Sequence, residues 1–181
     1  MFQAAQLVHG DDVSVAGTSV SDIDLDYFRR FYKSRYEEDL EEQGESLGRV
    51  LSNMRLLSDG VLTVSGILVF AKNPQILLPV FNVKAVCYPG HDIHATTYLD
   101  SADIVGRLQV QFEKSLSFIL RNLRREQHGQ GINTTGELEI PRIVLEELVA
   151  NALIHRDHFV SAPVRVLCLM TALRSSVQGT C

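Results

Sequence analysis

Cysteine is scarce and scattered. There are three, Cys87, Cys168 and Cys181, an odd number with no C-x-x-C pair, which argues against a stapled fold or a structural zinc site. Cys87 and Cys168 lie in apolar, strand-like runs and are expected to be reduced core residues. Positive charge is also short. The 17 Lys and Arg against 22 Asp and Glu give a net charge of -5 over 181 residues, which speaks against a broad nucleic-acid-binding face but leaves room for a local basic patch. No apolar run reaches membrane-spanning length and no signal peptide is evident, so the expectation is a cytoplasmic protein with no membrane partner. The H-E-x-x-H spacing is missing, so a metal-dependent hydrolase built on Glu147, His155 and His158 has little support. Internal repeats and low-complexity tracts are absent as well. What remains is an ordinary globular composition, 45% hydrophobic, with length for one good core or two small ones.

The most informative stretch is residues 141–158, PRIVLEELVANALIHRDH. Pro141 suits a first helical position, where a missing N–H costs nothing. Val144, Leu145, Leu148, Ala152 and Leu153 recur at helical spacing and are expected to face a core. Glu147, Asn151 and His155 are four apart and share one narrow polar stripe. A carboxamide oxygen at Asn151 suits Mg²⁺, and Glu147 can hold or polarise a water beside it, with metal-bridged phosphate as the natural cargo. On spacing alone, a solvated helix face is the commoner explanation of such a pair.

Along the chain, residues 1–21 read as a linker. A helix is expected over 22–40, capped by Asp22 or Asp24, with Leu25, Phe28, Phe31 and Tyr32 on its apolar face. Its Arg29, Arg30, Lys33 and Arg35 read as a solvated face balanced by nearby acids rather than a phosphate patch. A second helix is expected over 45–57, a turn at Asp59-Gly60, and a third, buried helix capped by Thr63 and stopped before Pro74. This order is reminiscent of a helix-turn-helix, but an all-apolar third helix cannot reach bases, so its role is structural. A strand is expected over 81–88, closed by Pro89-Gly90. His91, Asp92 and His94 read as a polar loop rather than a metal site. An adjoining antiparallel strand is expected over 96–99, and the longest helix over 101–125, with Val105 among its core residues and Arg121, Arg124 and Arg125 complementing its C-terminal dipole. A short strand over 137–140 leads to the Pro141 helix, and a last strand covers 164–170. Helices on one face of a sheet make the expected class α+β.

The run LEELVANALIHRDH resembles the E-x-x-x-N-A-x-x-H-R-D-[YH] signature of bacterial and archaeal transcriptional regulators related to the C-terminal part of the RecG helicase. DGVLTVSGILVFAKNPQILLP is similar to that family's DGxLTNAGLLLFGKxPQxxLP, and FNVKAVCYPG to its strand ending in F-x-G. The likeness runs from about residue 22 to 166. It implies a helical, winged-helix-like part over 22–80 and a histidine-kinase/gyrase-type (GHKL) ATPase domain, here truncated, over 81–181, the two able to pack as one unit. It also implies ATP and Mg²⁺ as ligands, Glu147 as the water-activating base and Asn151 as the metal ligand. His155, Arg156 and Asp157 would shape the nucleotide pocket. DNA would be bound through a Schlafen-type (AlbA-like) domain that this chain does not contain, and the protein would be a homo-oligomer.

The chain departs from that pattern after residue 166. LCLMTALRSSVQGTC lacks the acidic residue, the following strand and the Pro-Gly lid, and no D-x-G-x-G adenine motif occurs. The tail reads as cut short or out of frame, and the expectation for this chain is weak or no ATP affinity, because a nucleotide pocket needs walls on several sides. A non-catalytic dimerisation scaffold is therefore the second expectation. The strand over 164–170 would be left with an exposed edge that favours self-association.

Overall fold

The computed structural model describes residues 9–42, 44–90, 96–123, 125–126 and 137–170. The expected loop at His91, Asp92 and His94, Arg124, Cys181 and the tail from 171 lie outside them.

The first half is helical. Helix α1 (Leu25–Tyr36) starts at Asp24, whose carboxylate accepts from the Tyr27 N–H at 3.0 Å. That bond is the main reason the Asp24 carboxyl lies below its usual range, with Arg107 adding to it. The helix ends at Glu37, which adopts a left-handed φ of 60°, so it is shorter than the sequence suggests. Helix α2 (Leu47–Asn53) begins at Ser46 and stops before Arg55, another left-handed residue, leaving Leu56 and Leu57 to enter a small hairpin. That hairpin, β1 (Leu57–Ser58) with β2 (Val61–Leu62), turns on Asp59-Gly60. Helix α3 (Val64–Phe70) is capped by Thr63, as expected, and buries Val64, Gly66, Ile67, Leu68 and Phe70. Gly66 has no substitute here, because a Cβ would sit 2.3 Å from the Leu56 carbonyl oxygen. Pro74 does not merely terminate this region. It opens a further short helix, α4 (Pro74–Leu77). Phe28, Tyr32, Leu51, Leu62, Ile67 and Phe70 form the core, with Phe28 and Phe31 each edge-on to Phe70 at 5.0 Å.

Residues 9–22 are not a free linker. Two single 3-10 turns, Gly10–Asp12 and Val20–Asp22, flank an extended piece that is hydrogen-bonded to α3 and β2: Val64 N donates to Val13 O and Val15 N to Leu62 O, each at 2.9 Å. The absence of periodicity in the sequence hid this docking, because main-chain atoms carry it.

The second half is a three-stranded sheet under two helices. Strand β3 (Val83–Pro89) is central, with β4 (Asp100–Ile104) antiparallel on one side and β7 (Val164–Met170) parallel on the other. Val83, Ala85, Cys87, Ile104, Val166 and Cys168 turn inward against α5 (Leu108–Asn122) and α6 (Arg142–Ile154), through Phe118, Val149 and Leu153. Lys84, Ser101, Asp103, Arg165, Leu167 and Leu169 are exposed. Among the described residues the sheet is thus covered on one face only, an α+β arrangement. A two-residue ladder, β5 (Arg125–Glu126) with β6 (Glu137–Leu138), precedes α6. Cys87 and Cys168 are free, adjacent in register, and burial pushes the Cys168 thiol up to about 11.

Two expectations are corrected. The antiparallel partner of β3 lies at Asp100–Ile104, not 96–99, and the long helix starts only at Leu108. Val105 is correspondingly exposed rather than in the core. Gly106, at φ 122°, separates strand from helix. Arg121 is engaged by Asp100 at 2.7 Å, a specific pair rather than only a dipole effect.

The two halves join at two amides, Gln75 half-buried and Gln111 buried. Gln75 Nε2 donates to Phe81 O at 2.7 Å and Gly106 O at 3.0 Å, while its Oε1 accepts from Gly106 N at 2.7 Å. Gln111, 2% exposed, donates to the same two carbonyls. Arg107 ion-pairs with Asp24 at 3.0 Å and stacks over Tyr27 at 4.1 Å, tying α5 to α1. Among the described residues no helix is long and apolar enough to cross a membrane.

Candidate functional site

Helix α6 carries the polar stripe. Pro141 sits just outside it as the N-terminal cap, and its carbonyl accepts from Val144 N at 3.0 Å. The buried stripe is Leu145, Val149 and Leu153, four apart. Glu147 and Asn151 each follow a buried residue by two positions, about 200° around the helix, so they face away from the sheet. Both are exposed. Asn151 Nδ2 donates to Glu147 Oε1 at 2.9 Å, so the pair read from the spacing is a real contact.

The inward face differs from the expected one. Leu145 and Leu153 are buried, but Val144, Leu148 and Ala152 are exposed, and Val149 takes the central place. With apolar residues on both sides, the sequence left the rotation of the helix open, and contact with the sheet and Phe118 decides it. The outward face therefore holds Ile143 (69% exposed), Val144 and Leu148 (59%) beside the Glu147–Asn151 pair, with Ile154 exposed at its end.

A cavity of about 330 Å³ lies beside α6, between Ile119 and Asn122 of α5, Leu123 just after it, Leu145 and Leu148, and Val166 to Leu169 of β7. A smaller one of about 200 Å³ lies on the other flank, against Leu108, Phe112 and Leu153. Neither Glu147 nor Asn151 lines either of them.

His155, Arg156 and Asp157 are not gathered with that pair. His155 closes the helix, its N–H donating to Asn151 O at 2.9 Å, and its side chain is exposed. Arg156 turns back to the joint between the two halves. Its guanidinium lies 4.0 Å over the Phe81 ring and donates to Val80 O at 3.3 Å and to Ala162 O. Asp157 Oδ1 accepts from Phe159 N at 2.9 Å, forming a local turn. His158 lies near-parallel to Phe81, ring centroids 5.9 Å apart. One residue that matters here, Gly10, had no signal of its own in the sequence, and Phe81 stands out there only as the start of the family-like strand FNVKAVCYPG. Gln75 had one, because it stands in the family-like stretch KNPQILLP.

The donor set suits only a loosely held cation. Among the described residues no three His, Cys, Asp or Glu side chains gather around a point. Asn151 Oδ1 and Glu147 Oε2 remain available after their mutual hydrogen bond, which fits Mg²⁺ that keeps most of its waters and not a caged transition metal. No family model, no curated protein and no solved structure matches this chain.

Proposed function

We propose that the chain is part of an ATP-binding, RecG-related transcriptional regulator, in which α6 is the metal-bearing helix of a GHKL-type ATPase fold. The observation that carries this reading is the outward face of α6. A solvated helix face is polar. This one sets Ile143, Val144 and Leu148 around the hydrogen-bonded Glu147–Asn151 pair, with an Arg142–Glu146 ion pair at its flank. A helix with this much exposed apolar surface suits a second covering layer, and a polar pair within such a face is suited to a ligand held under that layer. Asn151 would offer its carboxamide oxygen to Mg²⁺, and Glu147 would hold and polarise a water. Bound Mg²⁺ would supply the charge that neutralises ATP phosphates. Arg156 and Asp157 shape the turn beneath that site rather than touch nucleotide, and His155 sits at its rim. DNA would be contacted by a separate Schlafen-type domain, and these residues would form the regulatory part of a homo-oligomer in the cytoplasm.

A second reading, a non-catalytic dimerisation scaffold, is favoured by a different observation: the pair lines neither of the two cavities described beside α6. One thermal-shift experiment separates the two. Under the first reading, ATP with Mg²⁺ at a hundred times its dissociation constant stabilises the chain by about 2.7 kcal/mol. Asn151→Ala removes the Mg²⁺-dependent part. Because weak or no ATP affinity is expected of this chain, a shift here supports the first reading, and no shift with millimolar Mg²⁺-ATP in a full-length relative removes it and leaves the scaffold.

A further inference from the structure

Two segments far apart in the chain meet at the C-terminal end of α6. Gly10 packs so closely on the turn after the helix that a Cβ there would lie 2.9 Å from His158 Cβ and 3.2 Å from Phe159 Cε2. Only glycine leaves that space, in a 3-10 turn closed by the Asp12 N–H donating to His9 O at 3.0 Å. Immediately downstream the same segment is fixed to the helical core through Val13 O and Val15 N. On the other side, the turn over residues 156–162 is held by Arg156. Its guanidinium covers Phe81 and donates to Val80 O and Ala162 O, while Val164 N donates to Asn82 O at 3.1 Å. Phe81 is also the residue whose carbonyl receives Gln75 and Gln111.

We propose that the Gly10–Asp12 turn and the 156–162 turn form a strap that couples the chain upstream of α1 to the C-terminal end of α6. A displacement at either end then loosens the other. The strap makes the HRDH run a mechanical connection between the helix bearing Glu147 and Asn151 and the N-terminal segment. The coupling is a property of the packing and holds whatever α6 binds, so its failure and the failure of the ATP reading are separate results.

Hydrogen exchange on the whole chain tests it. Gly10→Ala is expected to speed exchange of the Phe159, Val160 and Ala162 amides by at least ~10-fold, with α1 and β3 unchanged. Arg156→Lys, which cannot reproduce the fork of a guanidinium, is expected to speed exchange of the Asp12 amide, although Arg156 does not touch Asp12. Coupling between two ends must be reciprocal. If Gly10→Ala acts only on residues 9–15, or Arg156→Lys only on 156–162, the strap is refuted. If one variant unfolds globally the other still decides, and global unfolding by both also refutes a local strap.

Discussion

Gln75 and Gln111 donate to the same two carbonyl oxygens, those of Phe81 and Gly106, and so lock the start of β3 to the start of α5. Gln75 also accepts from Gly106 N, so its loss leaves one more main-chain group unpaired. Gln111→Leu is expected to cost about 1–3 kcal/mol, and Gln75→Leu at least as much, read as a lower urea midpoint at unchanged slope. Equal midpoints for both variants and the parent would show that the amides contribute nothing to the joint.

Gly66→Ala addresses the approach of α3 to the hairpin. The added Cβ would meet the Leu56 carbonyl at 2.3 Å, and a backbone oxygen cannot swing aside. The expected loss is about 1–3 kcal/mol, against the small gain that Gly→Ala gives in an open helix. A melting temperature at or above that of the parent would mean that α3 sits farther from Leu56.

His158 gives the fold a pH dependence of definite sign. Burial is the main cause of its lowered pKa. Asp11 opposes that effect, Arg156 adds to it and Asp157 opposes it. The unfolded imidazole takes up its proton near pH 6.5, the folded one only at lower pH. Between those values the unfolded chain binds more protons, so this contribution is fully present above about pH 6.5 and is lost as pH falls through the window below it. Urea unfolding from about pH 7.5 to about pH 5 should show the decline, and His158→Gln should flatten it. An identical slope in the variant would remove His158 as the source.

The exposed sheet face and the outward side of α6 bear on self-association. Leu167 and Leu169 of β7 are both exposed on the sheet face away from the helices, and Leu148 is exposed on α6. Leu169→Lys is expected to move the sedimentation profile toward monomer with little change in melting temperature. A parent chain that sediments as a monomer at every concentration would rule out association through this surface.

Where local chemistry governs, the sequence was informative. Thr63 caps the helix it was expected to cap, and of the two candidates Asp22 and Asp24 it is Asp24 that caps α1, because a short oxygen-bearing side chain before an apolar run satisfies the first free N–H groups. Glu147 and Asn151 share one stripe, as their spacing indicates, and the structure adds the hydrogen bond between them. Residues 100–104 were misread because the helical spacing from Leu108 onward extrapolates backward through Val105, and the break rests on one glycine. The face of α6 was misread because either apolar row could have met the sheet. Arg156 over Phe81 and Gly10 under His158 join residues distant in the chain, and no local pattern encodes them.

The parallel pairing of β3 with β7 sets an order of assembly. Val83 must wait for Val164 and Cys87 for Cys168, after β4, α5 and α6 have intervened. The aromatic core around Phe70 joins Phe28 and Phe31 to Phe70, a shorter separation along the chain than that of β3 from β7, and carries a smaller loop-closure cost. During refolding, amides such as Ile67 should gain protection before that of Val83, with strand β7 completing the sheet last.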